Sequence, residues 1–246
     1  MKKTGSLHKI LSLAGVIVLM GFAALPAKPT LSANSDFILT WSTSSYVPQT
    51  YEGKALPVRG SAITVFALPV KKLAQNPDYL YYRWLLDDDV VGWAGGMGKS
   101  SFKFSAEKWA GDFHKVESQI LDSQQRAVLS QDFIYIKIVN PEILISGPDN
   151  SNYSLIEKIS AGTGKNIKLT AQPFFFNIGK LSDLNFSWQL NDQELPSQGD
   201  NDQNILSLTT PKGILSEAIY KNIRLTVSSK NNDMEWGSIN LSLEIR

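Results

Sequence analysis

The sequence predicts an all-β chain of two tandem β-sandwiches behind an N-terminal signal or anchor helix. Three observations carry this. From residue 36 onward, short segments rich in aromatic and β-branched residues follow one another. Clusters of Gly, Pro, Asn and Asp separate them, which is the pattern of strands and turns. The chain repeats itself at a spacing of 104 residues, so one structural unit is present twice. The first 34 residues carry a basic head and an apolar run, the pattern of an export signal.

The N-terminal segment comes first. Lys2, Lys3 and Lys9 stand before Ile10–Ala24, which is apolar apart from Ser12, and Leu25-Pro26-Ala27-Lys28 follows. Cleavage after Ala27 or Ala33 would start the mature chain at Lys28 or Asn34. Left uncleaved, residues 10–27 reach the short end of a membrane span. The basic head stays on the cytoplasmic side on either reading, so the remainder is exported. The 246 residues contain no cysteine and only two histidines, His8 and His114. Disulfides, thiol chemistry and multi-histidine zinc sites are therefore excluded. Setting aside Lys2, Lys3 and Lys9, 21 basic residues face 23 acidic ones. That balance gives no electrostatic footprint for nucleic acid.

Residues 37–41, 62–66, 80–84 and 133–139 read as strands. Residues 117–129 are the best helical stretch, yet they read better as two strands around Asp122-Ser123-Gln124-Gln125. The repeat aligns Gly60 with Gly164, Ile63 with Ile167, Val65 with Leu169, Ala67 with Ala171, Trp84 with Trp188 and Asp88 with Asp192. The final strands align one residue further out of step, Ile134, Ile136 and Ile138 with Ile239, Leu241 and Leu243. Inward positions agree while outward ones drift. Domains over residues 35–140 and 141–246 follow, after a signal or anchor over residues 1–34.

Each unit offers about seven short strands with a central tryptophan, the pattern of an immunoglobulin-like sandwich. Tyr82-Arg83-Trp84-Leu85-Leu86-Asp87-Asp88 resembles the Y-x-W-x-F-G-D-G region of PKD domains, and Phe186 to Asp192 resembles it more loosely. Gly111 to Val116 is similar to a later strand of that family. Both copies lack the family's Asp-Gly pair, which puts its tight turn in question. The resemblance implies extracellular adhesive or spacing modules. The order of a signal segment and two such domains also resembles proteins encoded beside pilus genes.

Little in the sequence points to catalysis. GWAGGMGKSS, residues 92–101, looks like a phosphate loop, but Trp93 stands where its first glycine is required. Phe102 and Phe104 then alternate with polar residues as in a strand, so a glycine-rich turn is expected and no cofactor. Asp87, Asp88 and Asp89 could offer oxygens to calcium, but a solvated acidic turn is the plainer reading. His114 has no obvious Ser or Asp partner near it in sequence and is expected to be a surface or half-buried strand residue rather than a base. Phe174, Phe175 and Phe176 cannot all face one core, so they are candidates for an interdomain or partner surface. Asn152, Asn185 and Asn240 begin glycosylation-like triplets, matches expected to arise by chance. The expected protein is exported and non-enzymatic. Its modules would serve adhesion, binding or assembly of a surface structure, with an envelope protein or wall glycan as partner. The alternative is an enzyme acting on wall polysaccharide, or its accessory binding protein.

Overall fold

The computed structural model describes residues 36–70, 76–122, 124–147, 158–196 and 203–246. The signal or anchor helix and the Asn152 triplet lie outside them. Sixteen strands are present among the described residues, and no helix there is long and apolar enough to cross a membrane. In the first sandwich, β1 (Phe37–Thr43), β2 (Ala62–Pro69) and β6 (Ser101–Ser105) form one sheet in the order β1-β2-β6. The facing sheet runs β4-β3-β7-β8, from β3 (Tyr81–Leu86), β4 (Asp89–Val90), β7 (Phe113–Leu121) and β8 (Val128–Lys137), and β5 (Gly96–Met97) also pairs with β3.

The second sandwich repeats this plan. β9 (Glu142–Ser146), β11 (Asn166–Phe174) and β14 (Ile205–Thr209) form the sheet β14-β11-β9. β10 (Lys158–Ala161), β12 (Leu184–Leu190), β13 (Gln193–Glu194), β15 (Ile219–Ser229) and β16 (Trp236–Ile245) form the sheet β10-β16-β15-β12-β13. Pairing is antiparallel except between β10 and β16. The chain is thus all-β, two tandem immunoglobulin-like sandwiches.

Period-two alternation places the core. Ile63, Val65 and Ala67 of β2 are buried, as are Ile167, Leu169 and Ala171 of β11. Trp84 and Trp188 sit at the centres of their cores. Each indole must also satisfy its N–H. Trp84 donates to the Lys99 carbonyl at 2.9 Å and Trp188 to the Gln203 carbonyl at 3.1 Å, positions that are themselves 104 residues apart. Gly60 and Gly164 both have positive φ, 88° and 65°, where an L side chain is strained.

The structure corrects the spacing of the last two strands. Trp84 pairs with Ser118 and Ser118 with Asp132, while Trp188 pairs with Leu225 and Leu225 with Ile239. The spacing there is 107, so Ile134, Ile136 and Ile138 match Leu241, Leu243 and Ile245. An offset of 105 hid this because a two-residue slip keeps every side chain on the same face.

The tight turn questioned above is present in both copies. Asp87 and Asp88 have φ of 53° and 73°, Asn191 and Asp192 of 49° and 64°. Both central residues are left-handed, as in the mirror-image two-residue hairpin turn. Asp and Asn tolerate that conformation without glycine. The first side chain also staples the turn to the next strand. Asp87 Oδ1 accepts from the Lys115 backbone N–H at 3.0 Å, and Asn191 Oδ1 from that of Asn222 at 2.9 Å.

The glycine-rich stretch is partly strand. Gly96 and Met97 pair with Tyr82 and Tyr81. Gly98 turns the chain at φ 70°, where a Cβ would lie 3.2 Å from the Asp78 carbonyl oxygen. The Lys99 ammonium donates to the Trp93 carbonyl at 2.9 Å. Phe102 is buried and Phe104 packs against the same core. Residues 117–129 are the end of β7, a turn and the start of β8, with Asp122 Oδ1 accepting from the Arg126 N–H.

Candidate functional site

The acidic run turns a hairpin, and the carboxylates of Asp87 and Asp88 face cationic side chains. Asp87 Oδ1 accepts from the Lys108 ammonium at 2.7 Å, and Asp87 Oδ2 lies 2.8 Å from His114 Nδ1. Asp88 pairs with Lys115, and Asp89 begins β4 opposite Leu86. Among the described residues no three His, Asp or Glu side chains gather where a metal could sit. Of Asp87, Asp88 and Asp89, the first two are held by cations on either side of the turn. Burial alone would raise the Asp87 carboxyl. The Lys108 ammonium, the Lys115 N–H and the His114 ring outweigh it and hold the carboxyl below its ordinary value.

His114 also departs from expectation. It is buried, 3% exposed, and its partner is Asp87, 27 residues away in sequence. Its ring meets Phe104 edge-on at 5.2 Å, and Nε2 is buried without a partner. A His–Asp pair whose free nitrogen faces packed side chains has no hydroxyl to activate. Its role here is to anchor the β3–β4 turn.

The three phenylalanines lie at the junction of the sandwiches. Phe176 is in the second core and forms a bridge with Tyr46. Phe174 and Phe175 pack with Val58 in a separate cluster, joined by Val47, Tyr51, Leu56, Val139 and Leu144. The loop between β1 and β2 thus reaches over the second sandwich and covers them. Tyr51 meets Phe174 and Phe175 edge-on at 5.3 and 6.1 Å. Of the interdomain and partner contacts expected for Phe174, Phe175 and Phe176, the structure has the interdomain one. Beside this junction lies a cleft of about 540 Å³, lined by Arg59, Glu107, Trp109, Asn140, Met234 and Glu235 among others. Arg59 lies 3.7 Å from the centre of the Trp109 ring, and Trp109 is 59% exposed. Burial pushes the Glu235 carboxyl up, against hydrogen bonds from the Asn177 N–H and Ser229.

One surface has no counterpart in the expectations. On the outer face of β7 and β8, Phe113, Phe133 and Tyr135 are 47%, 49% and 61% exposed. Phe113 and Phe133 meet Tyr135 edge-on at 6.5 and 5.5 Å. The Lys115 ammonium lies 5.5 Å over Phe133. At the spacing of 107 the second sandwich has Tyr220, Asn240 and Ser242 at these positions. The fold therefore does not require Phe133 or Tyr135. The signal was in the sequence, in the outward phase of the strand whose inward isoleucines define the repeat.

No protein-family model matches the chain, and no curated protein matches it. Solved structures resemble it at low identity. The N-terminal four Ig domains of Dscam1 isoform 8.4 are 11% identical, with 84% of this chain and 47% of that one covered and a TM-score of 0.30. The Bacteroides ovatus mixed-linkage glucan utilization locus protein SGBP-B, in complex with a heptasaccharide, is 12% identical over 87% and 48%, at 0.26. The Yersinia pseudotuberculosis adhesin InvE is 12% identical over 85% and 60%, at 0.22. The chain spans about half the length of the first two. These likenesses go no further than the fold.

Proposed function

We propose that the chain is an exported, non-enzymatic cell-envelope protein whose two PKD-like sandwiches serve in binding, adhesion or assembly of a surface structure, such as a pilus. Residues 10–27 tether it to the membrane if they are not removed. The observation that carries this reading is the row Phe113, Tyr135 and Phe133, solvent-facing on one copy of a duplicated fold and mostly polar on the other. Exposed aromatic clusters mark contact surfaces. The polar chemistry supports it too, since Asp87 and the buried His114 are committed to a turn. Photo-cross-linking from β7 or β8 in intact cells tests the reading. Cross-links to an envelope protein or wall glycan are expected, and Phe133→Asn with Tyr135→Ser should abolish them without lowering the melting temperature. Turnover of a glycan, peptide or ester by the purified chain, abolished by one point mutation, would overturn it. A second reading, accessory binding of wall glycan, is favoured by the cleft at Trp109. An exposed indole beside Arg59 and Asn140 offers a stacking face and donors for a sugar ring. Loss of glycan retention on Trp109→Ala would support that reading.

A further inference from the structure

We propose that the cleft beside the junction binds a carboxylated sugar of a wall glycan, with the sugar ring on Trp109 and the carboxylate on Arg59. The inference rests on the second reading above, accessory glycan binding, and names the chemistry of the sugar. The cleft, of about 540 Å³, takes Arg59, Glu107 and Trp109 from the first sandwich and Asn232, Met234 and Glu235 from the second. Among the described residues that line it, Arg59 is the one cation.

Arg59 is held ready for a planar anion. Backbone bonds tie its stretch to the segment that leads to Trp109: the Gly60 N–H donates to the Ala106 carbonyl at 2.7 Å, and the Ala106 N–H to the Ser61 carbonyl at 2.9 Å. The guanidinium lies 3.7 Å from the centre of the Trp109 ring, and Nε donates to the Glu107 carbonyl at 3.1 Å. Stacking and that bond orient the fork. Among the described residues its terminal N–H groups have no protein acceptor. A fork of this kind meets a carboxylate through two parallel bonds. The second sandwich has the same backbone tie, from the Thr210 N–H to the Lys165 carbonyl at 2.9 Å. At the spacing of 104, Thr163 stands there in the place of Arg59, and residues 210–219 hold no aromatic side chain. The fold therefore does not require the pair.

Shape and charge choose the ligand. Arg59 covers one face of the indole, and at 59% exposure the ring keeps the other for a sugar. Asn140 and Asn232 bring amide donors and acceptors for hydroxyl groups. The two acids limit the charge that the cleft accepts. Glu107 meets Arg59 through its backbone carbonyl, and its exposed carboxylate weighs against a dianion such as a phosphate monoester. Glu235 weighs less, because burial pushes its carboxyl up, toward the neutral form, and the Asn177 N–H already donates to it. One carboxylate on a polyhydroxyl ring fits this balance.

Isothermal titration of the purified full-length chain in neutral detergent tests this. The probes are an α-1,4-linked galacturonic acid trimer and the galactose trimer of the same linkage, which differ only in carboxylate against hydroxymethyl. The acidic trimer is expected to bind at least about tenfold more tightly. Arg59→Lys keeps the charge and loses the fork, so it should remove most of that advantage. Arg59→Gln should remove all of it and melt close to the wild type. A second measurement needs no variant: added salt should weaken the acidic trimer and leave the neutral one unchanged. Equal affinity for the two trimers, binding of neither, an advantage that survives in Arg59→Gln, or an advantage that salt does not touch would each overturn the assignment. The reading beneath it has its own assay, retention on wall glycan lost in Trp109→Ala. If that loss is seen while the trimers bind equally or not at all, the cleft still binds glycan, and the carboxylate is not what it recognises.

Discussion

Asp87 offers the sharpest test of the idea that the acidic run is structural. Its carboxylate has three partners: the Lys108 ammonium, the His114 ring and the Lys115 N–H. Asp87→Asn leaves an acceptor for the N–H, as Asn191 does in the other copy, and tolerates the left-handed turn. It removes the charge that two partners use. Charge-assisted bonds contribute about 1.5–3 kcal/mol each when buried. Here the Asp87 and Lys108 side chains are 30% and 35% exposed, so a loss of about 1–2 kcal/mol at neutral pH is expected after screening. Asp87→Ala also gives up the N–H acceptor and strains an alanine at φ 53°, which brings the loss to about 3–4 kcal/mol. Asn191→Ala loses only a neutral bond and the turn preference, about 2 kcal/mol. The pH dependence has a fixed sign. The Asp87 carboxyl is held below its ordinary value of 3.8. Its contribution is therefore complete above that value and is lost as pH falls through the lower, folded-state value. Urea melts followed by tryptophan fluorescence should show the gap between wild type and Asp87→Asn at neutral pH, shrinking on acidification below about pH 4. An Asn variant as stable as wild type at neutral pH, or a gap that widens in acid, would refute the reasoning.

Two further predictions use the duplication as an internal control. Trp84→Phe and Trp188→Phe each leave a carbonyl, of Lys99 or Gln203, without its indole donor. Each should cost about 1–3 kcal/mol in chemical denaturation, and the two costs should agree to within about 1 kcal/mol because the geometry is the same. Gly60→Ala and Gly164→Ala should each lose about 1–2 kcal/mol, since both positions hold positive φ; equal loss at Gly92, whose φ is not in that region and where a Cβ meets no neighbour, would argue against this cause.

Most of the architecture was legible because burial follows a two-residue period. Ile63, Val65 and Ala67 announce an inner face, and Trp84 and Trp188 mark the same place in two copies. What stayed hidden depends on pairing across long separations. The true spacing of β7 and β8 needs the ladders, because offsets of 105 and 107 put the same residues inside. The link between Asp87 and His114 spans 27 residues and exists only because β3 and β7 are neighbours. For Phe174 and Phe175 the choice between an interdomain and a partner contact stays open in the sequence, because nothing in residues 44–58 says that this loop leaves its own sandwich. Phe133 and Tyr135 are readable in the outward phase of their strand, but the repeat draws the eye to the inward positions that agree between the copies.

Phe175 makes the junction itself testable. It is 4% exposed and has φ of 63°, a conformation that costs a non-glycine residue about 1–2 kcal/mol. The surroundings enforce it: the Phe175 N–H donates to the Tyr46 carbonyl and the Tyr46 N–H to the Phe176 carbonyl, both at 2.7 Å. The loop from the first sandwich thus pins the backbone at the end of β11. Phe175→Ala should lose about 3–5 kcal/mol for the missing ring and keep the strain. Phe175→Gly loses the same ring but relieves the strain, so it should be the more stable of the two by about 1 kcal/mol. This reverses the order at ordinary strand positions, where glycine is worse than alanine by about 0.5–1 kcal/mol. Leu169, inside β11 with no positive φ, should show that ordinary order in the same assay. Calorimetry of the variants gives a second readout. The cluster of Val58, Phe174 and Phe175 draws on both sandwiches, so removing the ring should broaden or split a transition that is single in the wild type. An alanine variant more stable than the glycine one would show that the left-handed backbone is not enforced. The relative orientation of the sandwiches, and with it the direction in which the face of β7 and β8 is presented, would then have to be set elsewhere.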